Sequence, residues 1–523
     1  MSDPDGAADR EDVVSAIYLA LSSRRFEEAA DLAERHWATL VGSALPTLRA
    51  VADSLPEEVL AARPRWEHIK RYLGFVMTDA SVRPVAYIDA PARTPHTFAD
   101  RLVSLTARGI AARTSGRIAE ARSLADAAVK ALEEAPAASR RRLASQLADG
   151  YLQWGLSYEF AALEPESLAA FEAAFNLGVA LGNHQAAANA AGELAWLHAL
   201  CGRGRIADEW IQRAVTLAES TQGSAGWRRG DVLGAAVRSA DGMRPDLALQ
   251  QLEARPRGGV DEHRLTSLCQ SVIFRLSMGS ASPVRLLSEL RRAEIADAAL
   301  LAESGENAIV IGYAEALIHL YSDQPERALE LLDGVAARGG EPFVIGTRAI
   351  VKLAAGAAPD AARDAERAIA QYAQWPRLLV PASLVKAVIA ADAGDADAAA
   401  ENFLAACELA DENGILSTVC GISYADFMRL MELTGSERVP EAVRAFEHLP
   451  LVFAPARRRR ELLTAQELRV LRGLAGDGGL ADLAARMHLS LNTLKAHTRA
   501  IYRKLDVKGR AAALRAAHDR GLI

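Results

Sequence analysis

The chain is predicted to be all-α, with an array of helix pairs followed by a small four-helix domain. Apolar residues recur at helical spacing along most of the sequence, and no run of alternating apolar residues indicates a β-sheet. A pattern of turn residue and alanines also recurs several times. Because the chain has 523 residues, 50% of them hydrophobic, it can bury a large core but is too long for one compact domain.

The recurring pattern starts with a turn residue, which is followed by Ala five positions later and by two more small or apolar residues at helical spacing. Each instance predicts a helix whose small residues let a neighbouring helix approach closely. The clear instances are Gly116/Ala121/Ala125/Ala128, Gly202/Ala207/Ile211/Ala214, Asp323/Ala328/Leu332/Val335, Gly356/Ala361/Ala365/Ala368 and Gly394/Ala399/Phe403/Ala406. Weaker instances centre on Ala29, Ala170 and Ala248. Most intervals between first alanines are roughly 33 to 49 residues, which indicates a helix pair as the unit.

This pattern resembles degenerate tetratricopeptide repeats, whose nominal period is about 34 residues. The resemblance implies a helical repeat superhelix over residues 11–435, with a concave surface for a peptide, a protein or a small ligand. A helical bundle without superhelical order is the alternative. Residues 1–10 are expected to be a disordered tail. Residues 436–460 are expected to be a linker, because three prolines interrupt the helical period there and four arginines follow at 457–460.

Residues 461–523 are predicted to form the four-helix domain. The first helix, 465–475, is expected to bury Leu468, Leu471, Leu474 and Ala475 before a glycine-rich break at 476–479. The second helix is short and buries Leu480, Leu483, Ala484 and Met487. His488, Leu489 and Ser490 then form a turn of the length that a helix-turn-helix needs, and Ser490 is suited to cap the next helix.

The third helix, 491–505, is expected to bury Leu494, Thr498, Ile501 and Leu505 and to expose a basic face. Such a helix can enter a DNA major groove about 12 Å wide, where Lys and Arg reach phosphates or guanine edges. A solvated basic face without DNA is the alternative. The candidate DNA-binding residues are Ser490, Asn492, Thr493, Lys495, Ala496, Arg499 and Arg503.

Charge divides the chain in the same way. Residues 457–523 contain 15 Lys or Arg against 6 Asp or Glu, whereas residues 1–456 contain 45 against 61. The basic end is therefore expected to bind a polyanion and the acidic body is not. The four arginines at 457–460 are either an arm that grips the DNA backbone or a solvated linker.

The last sixty or so residues resemble the C-terminal DNA-binding domain of the LuxR family of bacterial transcription regulators. The resemblance rests on Leu463-Thr464 with Glu467, on Leu483-Ala484, on Thr493-Leu494-Lys495 with His497, and on Lys504-Leu505 with Arg510. It implies that Lys495, Ala496 and Arg499 face the groove. It also implies that the final helix, 509–521, pairs two domains, with Ala513, Leu514 and Ala517 as candidate dimer contacts. Asp477, Gly479, Leu480 and Asp506 depart from the family pattern, and the hydroxyl missing before the second helix removes a cap worth about 1 kcal/mol.

Other classes of protein are disfavoured by what the sequence lacks. No G-x-x-x-x-G-K-[ST] phosphate loop, H-E-x-x-H or G-x-S-x-G motif is present, so no catalytic residue, metal ligand or cofactor is assigned and the protein is predicted not to be an enzyme. A helical start over residues 11–36 disfavours a phosphoacceptor receiver domain. The four cysteines have no C-x-x-C pair and are predicted to be buried thiols. No membrane span or signal peptide is expected.

These observations predict a cytoplasmic, nucleoid-associated bacterial transcription regulator that acts as an activator and binds double-stranded DNA as a homodimer. The helical array would receive an unknown ligand or protein partner, and RNA polymerase is a further candidate partner. The main alternative is a helical-repeat interaction scaffold with a degenerate DNA-binding domain. A sigma-like promoter reader ranks last, because Lys504-Leu505 and the final helix fit the LuxR family better.

Overall fold

A computed structural model describes residues 4–77, 87–89, 94–219, 230–254, 262–448, 452–455, 465–476, 479–505 and 507–519. The chain divides into two compact units, Met1–Ala456 and Arg457–Ile523, which we call the helical unit and the C-terminal unit. Among the described residues the secondary structure is helical, and one isolated β-bridge joins Ser423 and Ala454. The predicted all-α fold class is confirmed.

The helical unit contains helices α1 to α24. Their bounds are α1 (Pro4–Ser22), α2 (Phe26–Arg35), α3 (Trp37–Ser43), α4 (Leu45–Ser54), α5 (Glu57–Ala62), α6 (Arg65–Val76), α7 (Phe98–Thr114), α8 (Ile118–Glu133), α9 (Ala137–Phe160), α10 (Glu164–Ala180), α11 (His184–Cys201), α12 (Gly204–Glu219), α13 (Gly230–Asp241), α14 (Pro245–Glu253), α15 (Arg264–Ser277), α16 (Pro283–Ala296), α17 (Glu306–Tyr321), α18 (Pro325–Val335), α19 (Glu341–Ala354), α20 (Ala358–Gln371), α21 (Pro376–Ala393), α22 (Ala396–Asn413), α23 (Tyr424–Thr434) and α24 (Glu441–Arg444). Short 3-10 segments lie at Ala298–Leu301, Leu416–Gly421, Ser436–Arg438 and Ala445–His448.

The repeated pattern of the sequence corresponds to the second helix of successive helix pairs. These second helices are α8, α12, α18, α20 and α22, and the turn residue before each of them has a positive φ. Glycine tolerates this left-handed conformation without a Cβ clash, and Asp323 adopts it at φ 57°. The first alanine of each instance is fully buried, as the close packing of paired helices requires.

The weaker instance at Ala170 has a different register from the one predicted. Ala162 is the left-handed turn residue before α10, and the residue five positions later is Ser167. Ser167 is fully buried and its hydroxyl donates to the Leu163 carbonyl oxygen at 2.7 Å. Serine therefore replaces alanine here, because its hydroxyl finds an acceptor one helical turn earlier.

Helix pairs that are distant in sequence are in direct contact inside the helical unit. The Arg203 guanidinium donates to the Gln374 carbonyl oxygen at 3.0 Å, and Arg377 Nε donates to the Leu200 carbonyl oxygen at 3.0 Å. A Cβ at Gly116 would lie 2.0 Å from the Ala299 carbonyl oxygen. Helix pairs of the array therefore pack against pairs that are distant in sequence as well as against their neighbours.

The two ends of the helical unit differ from the prediction. Helix α1 begins at Pro4, so residues 4–10 are helical where a disordered tail was expected. Val439, Val443 and Phe446 are buried in the same core cluster as α21 and α23, and the Ala454 amide donates to the Cys420 carbonyl oxygen at 2.9 Å. The predicted linker was therefore placed too early, because apolar residues at helical spacing hold this segment against the core despite its prolines. The division between the units falls after residue 456.

The four cysteines, at positions 201, 269, 407 and 420, are buried free thiols, as predicted. Burial raises the pKa of each thiol, to about 12 for Cys420. None of the described helices is both long enough and apolar enough to cross a membrane.

The Asp149 carboxylate provides a test of the packing between α3, α9 and α11. The Trp37 indole N–H and the Asn183 amide both donate to Asp149 Oδ2 at 2.9 Å, and desolvation raises the pKa of Asp149 to about 6. Because this value is above that of the unfolded chain, the protonated form is favoured on folding. The stability that this group contributes is therefore expected to be fully present below about pH 4 and to be lost as the pH rises through 6, by up to about 3 kcal/mol.

We expect Asp149→Asn to remove this dependence and to raise the melting temperature more at pH 7.5 than at pH 4.5, because the amide oxygen still accepts both bonds. Thermal unfolding of the full chain at the two pH values measures the difference. An equal change at both pH values would contradict the account.

The C-terminal unit contains α25 (Ala465–Leu474), α26 (Leu480–Arg486), α27 (Leu491–Leu505) and α28 (Arg510–Asp519). Its core contains Leu471, Leu474, Leu483, Ala484 and further apolar residues of all four helices. Two predictions for α25 were wrong, since Ala475 is exposed and Leu468 is only half-buried, whereas Val470 is fully buried. The buried face of α25 is therefore rotated about the helix axis relative to the predicted face, and it includes Glu467.

Candidate functional site

Helices α26 and α27 form a helix-turn-helix. The turn between them consists of His488, Leu489 and Ser490, and His488 has the left-handed φ of 53° that ends α26. The Leu489 amide donates to the Ala484 carbonyl oxygen at 2.9 Å. Ser490 caps α27 as predicted, because its hydroxyl oxygen accepts the Thr493 amide N–H at 3.1 Å. The turn therefore fixes where α27 begins.

The two faces of α27 differ as the sequence predicts. Leu494, Thr498, Ile501 and Leu505 are buried against the other helices of the unit. Five candidate DNA-binding residues of α27 are exposed, namely Asn492, Thr493, Lys495, Ala496 and Arg499. The sixth, Arg503, lies on the helix but its side chain is outside the described part of the structure. A helix of this length spans about 22 Å and presents cations around a small alanine.

Other residues that carry the family resemblance hold α27 in place. Lys504 Nζ lies 2.9 Å from Glu467 Oε2, and this ion pair joins α27 to α25 in a largely buried setting. The Arg510 guanidinium donates from Nε to the Leu474 carbonyl oxygen at 2.9 Å, at the end of α25. These motif residues therefore position the exposed face rather than contribute to it. Residue spacing could not predict the ion pair, because its two members are on different helices.

The departure from the family pattern before α26 is partly compensated. Gly479 has no hydroxyl, but the Asp482 carboxylate accepts the Gly479 amide N–H at 3.1 Å. An acidic residue in the first turn also interacts favourably with the helix dipole. The predicted loss of a cap is therefore offset in part by Asp482. Asp477 and Asp506, the other departures, lie outside the described residues, as do the four arginines at 457–460.

Two of the three candidate dimer contacts are inside the C-terminal unit. Ala513 and Ala517 are fully buried and belong to its core cluster, while Leu514 is half-buried. The assignment of these two alanines to a dimer surface was wrong, because their small side chains let α28 pack closely on its own domain. Ala511 and Arg515 are exposed on α28 instead.

Comparison with known protein families agrees with this geometry. Residues 461–517 match the model of the bacterial regulatory proteins of the luxR family. The C-terminal unit is a LuxR-type helix-turn-helix domain. No curated protein matches the chain in sequence. The match covers all four helices of the LuxR-type domain except the end of α28, and it includes every candidate DNA-binding residue.

Replacing Ser490 tests the cap of α27. We expect Ser490→Ala to cost about 1 kcal/mol of local stability, because the Thr493 amide loses its acceptor. Hydrogen exchange of α27 peptides in the full chain measures this effect as faster exchange at the start of the helix. Peptides of α9 in the same sample serve as the control and are expected to exchange at the unchanged rate.

The helical unit contains a second candidate site, a partly open cavity of about 290 Å³. Its lining is mostly apolar and includes the aromatic residues Trp196, Phe274, Tyr313, Tyr321, Phe343 and Trp375. Arg377 and Asp241 form a bidentate ion pair at one part of the wall, with Nη1 and Oδ1 2.9 Å apart. Glu159 and Glu306 line another part. A mostly apolar cavity with a few polar groups has the character of a small-molecule site.

Trp196 lies both in the core and at the cavity wall. Burial raises the pKa of Glu159 and Glu306 to about 8, and the negative charges of Glu262 and of Glu159, respectively, raise these two pKa values further. The sequence could not indicate the cavity, because its lining comes from helices of both halves of the array.

Proposed function

We propose that this protein is a DNA-binding transcription regulator in which α27 enters the major groove of double-stranded DNA. The observation that carries the proposal is the exposed face of α27, where Lys495 and Arg499 flank Ala496 on the second helix of a LuxR-type helix-turn-helix. Cations on this face reach phosphates or guanine edges, and the small alanine lets the helix backbone approach.

The helical unit is proposed to receive the signal. Its helix pairs and small-residue turns support a tetratricopeptide-like array, and the mostly apolar cavity supports a small ligand in preference to a protein partner. A volume of about 290 Å³ suits a molecule of modest size. The protein is proposed to have no catalytic activity of its own and to act as an activator, with RNA polymerase as the partner on DNA.

The protein is further proposed to bind DNA as a homodimer. Exposed residues of α28 rather than Ala513 and Ala517 would then form the contact between the two domains. A two-fold dimer recognises two half-sites about 10.5 base pairs apart.

Nuclease protection of bound genomic fragments, combined with sedimentation of the complex, tests this function. The expected result is two protected half-sites about one helical turn apart and two chains per site. A complex of one chain with one half-site would contradict the proposal of a homodimer. The absence of specific protection would contradict the proposal that the protein recognises a DNA sequence. The scaffold alternative predicts the latter result, with nonspecific affinity of roughly 10⁻⁴ to 10⁻⁶ M.

A further inference from the structure

Three buried side chains come together at one side of the cavity. They are Glu159 at the end of α9, Glu193 in α11 and His263 directly before α15. His263 Nε2 lies 3.0 Å from Glu159 Oε1 and 3.6 Å from Glu193 Oε2, and the three donor atoms all lie within 4.8 Å of one another. Each of the three residues is more than nine-tenths buried. One imidazole and two carboxylates therefore lie close together in the interior of the helical unit.

The carboxylate oxygens of this cluster are incompletely bonded by the described residues. Glu193 Oε2 is buried without a hydrogen-bond partner among the described residues, and the one side-chain donor that interacts with the Glu159 carboxylate apart from His263 is the Trp196 indole N–H. Buried carboxylate oxygens usually have a hydrogen-bond partner, because an unpaired buried polar atom costs roughly 1–3 kcal/mol. The Oε2 atom of Glu193 is therefore buried in the core, 3.6 Å from His263 Nε2, and accepts no hydrogen bond from the described residues.

Further carboxyl groups surround the cluster. Glu306 and Asp231 interact electrostatically with Glu193, and the Thr266 hydroxyl donates to Glu306 Oε1 at 3.0 Å. The Arg113 guanidinium, whose charge acts on Glu159, is bidentate with Glu262 at 2.7 and 3.1 Å. The buried carboxyl groups therefore outnumber the cations beside them, and a bound divalent cation would stabilise their ionised form.

The backbone leaves space for this cluster at one specific place. A Cβ at Gly230 would lie 2.6 Å from Glu193 Oε2, and a Cβ at Gly192 would lie 3.0 Å from the Asp231 amide nitrogen. Two glycines thus let α11 and α13 approach closely around Glu193. A larger residue at position 230 would push the carboxylate away from His263.

We propose that Glu159, Glu193 and His263 bind one divalent transition-metal ion of the Zn²⁺ type. Imidazole and carboxylate donors suit such ions, with bonds of about 2.0–2.2 Å. Tetrahedral donors at these bond lengths are about 3.4 Å apart, and the two separations from His263 Nε2 are 3.0 and 3.6 Å. A neutral imidazole and two carboxylates also match the charge of a divalent ion.

The bound metal would connect α9, α11 and the start of α15. Glu159 also lines the cavity, so metal binding and the shape of the cavity are coupled through this residue. This consequence rests on the proposed function, in which the helical unit receives the signal for DNA binding. The metal site itself does not depend on that function. Sequence motifs could not indicate it, since its three donors lie on three elements that are far apart along the chain.

Titration of the full-length chain with ZnCl₂ after chelator treatment tests the site. Calorimetry is expected to give one equivalent of Zn²⁺ per chain, and Co²⁺ is expected to give the visible absorption of a tetrahedral site. Glu193→Gln and Glu159→Gln, which keep the side-chain size, are each expected to weaken binding about 100-fold and to abolish the Co²⁺ spectrum. Circular dichroism establishes that each variant is folded.

Glu315→Gln is the matched control, because Glu315 is also a buried carboxylate near a histidine but lies outside the cluster. It is expected to bind Zn²⁺ as the unaltered chain does. Absence of stoichiometric binding, or equal binding by the Glu193→Gln and unaltered chains, would overturn the proposal. DNA binding is measured separately with the metal-free and metal-loaded chains, so a failure of DNA binding leaves the result for the metal site intact.

Discussion

Replacing Lys495 and Arg499 together with alanine is expected to weaken the binding of specific DNA about 100-fold. Both side chains are exposed on α27, and the loss of one good contact to a phosphate or guanine costs roughly 1–3 kcal/mol. Removing two phosphate contacts also lowers the slope of log affinity against log salt by about two. Fluorescence anisotropy with a retained genomic fragment at several salt concentrations measures both quantities. The fold is expected to survive, because neither side chain belongs to the core.

Arg472→Ala/Lys508→Ala is the control for this experiment. It removes the same charge from exposed positions of the LuxR-type domain outside α27. We expect its affinity to fall by less than about threefold at 0.15 M salt, where the Debye length is about 8 Å. Equal weakening by the two double variants would mean that net charge alone drives binding, and it would contradict the placement of α27 in the groove.

Gly116→Ala is expected to destabilise the helical unit by about 3 to 5 kcal/mol. Position 116 has φ of 78°, which alanine adopts only with strain, and the added Cβ would lie 2.0 Å from the backbone oxygen of Ala299. The positions of the added Cβ and of the Ala299 carbonyl oxygen are both set by the backbone, so no side-chain rotation relieves the clash. Thermal unfolding and limited proteolysis of the full chain measure the loss.

Gly394→Ala separates the two contributions to this effect. Its φ is 82°, but nothing lies within 4 Å of the added Cβ. This variant is expected to lose only about 1 kcal/mol, from backbone strain alone. Equal losses at positions 116 and 394 would contradict the close contact between the α7–α8 turn and the segment that contains Ala299.

Much of the LuxR-type domain could be predicted from the sequence, because its helices are amphipathic and its turns are short. The predicted and observed bounds of α27 are the same, and Ser490 caps it as expected. The buried face of α25 could not be predicted as well. Glu467 is charged, so a reading of apolar spacing excludes it, yet its ion pair with Lys504 brings it into the interior.

The helical unit was predictable where alanine marks tight packing between paired helices. Ala328 and Ala361 are fully buried, as the pattern required. The segment after residue 435 was misassigned because prolines suggested a linker, whereas Phe446 and its apolar neighbours anchor it in the core. The packing between helix pairs that are distant in sequence was also not predictable, since it depends on contacts such as that between Arg377 and Leu200.

The two candidate sites differ in how well the sequence indicates them. Lys495 and Arg499 lie on one helix, so spacing alone places them on the same face. Glu159, Glu193 and His263 meet only because three helices pack together, and no local pattern reports such packing. The cavity depends on the same tertiary packing.

The most direct test of the central claim is the selection of genomic DNA fragments by the purified full-length protein, followed by sequencing of the retained DNA. The assay is performed at physiological salt beside the Lys495→Ala/Arg499→Ala and Arg472→Ala/Lys508→Ala variants. We expect the unaltered protein and the second variant to enrich a small set of palindromic sites, and the first variant to lose that enrichment. Retention of the same sites by the first variant would contradict the account.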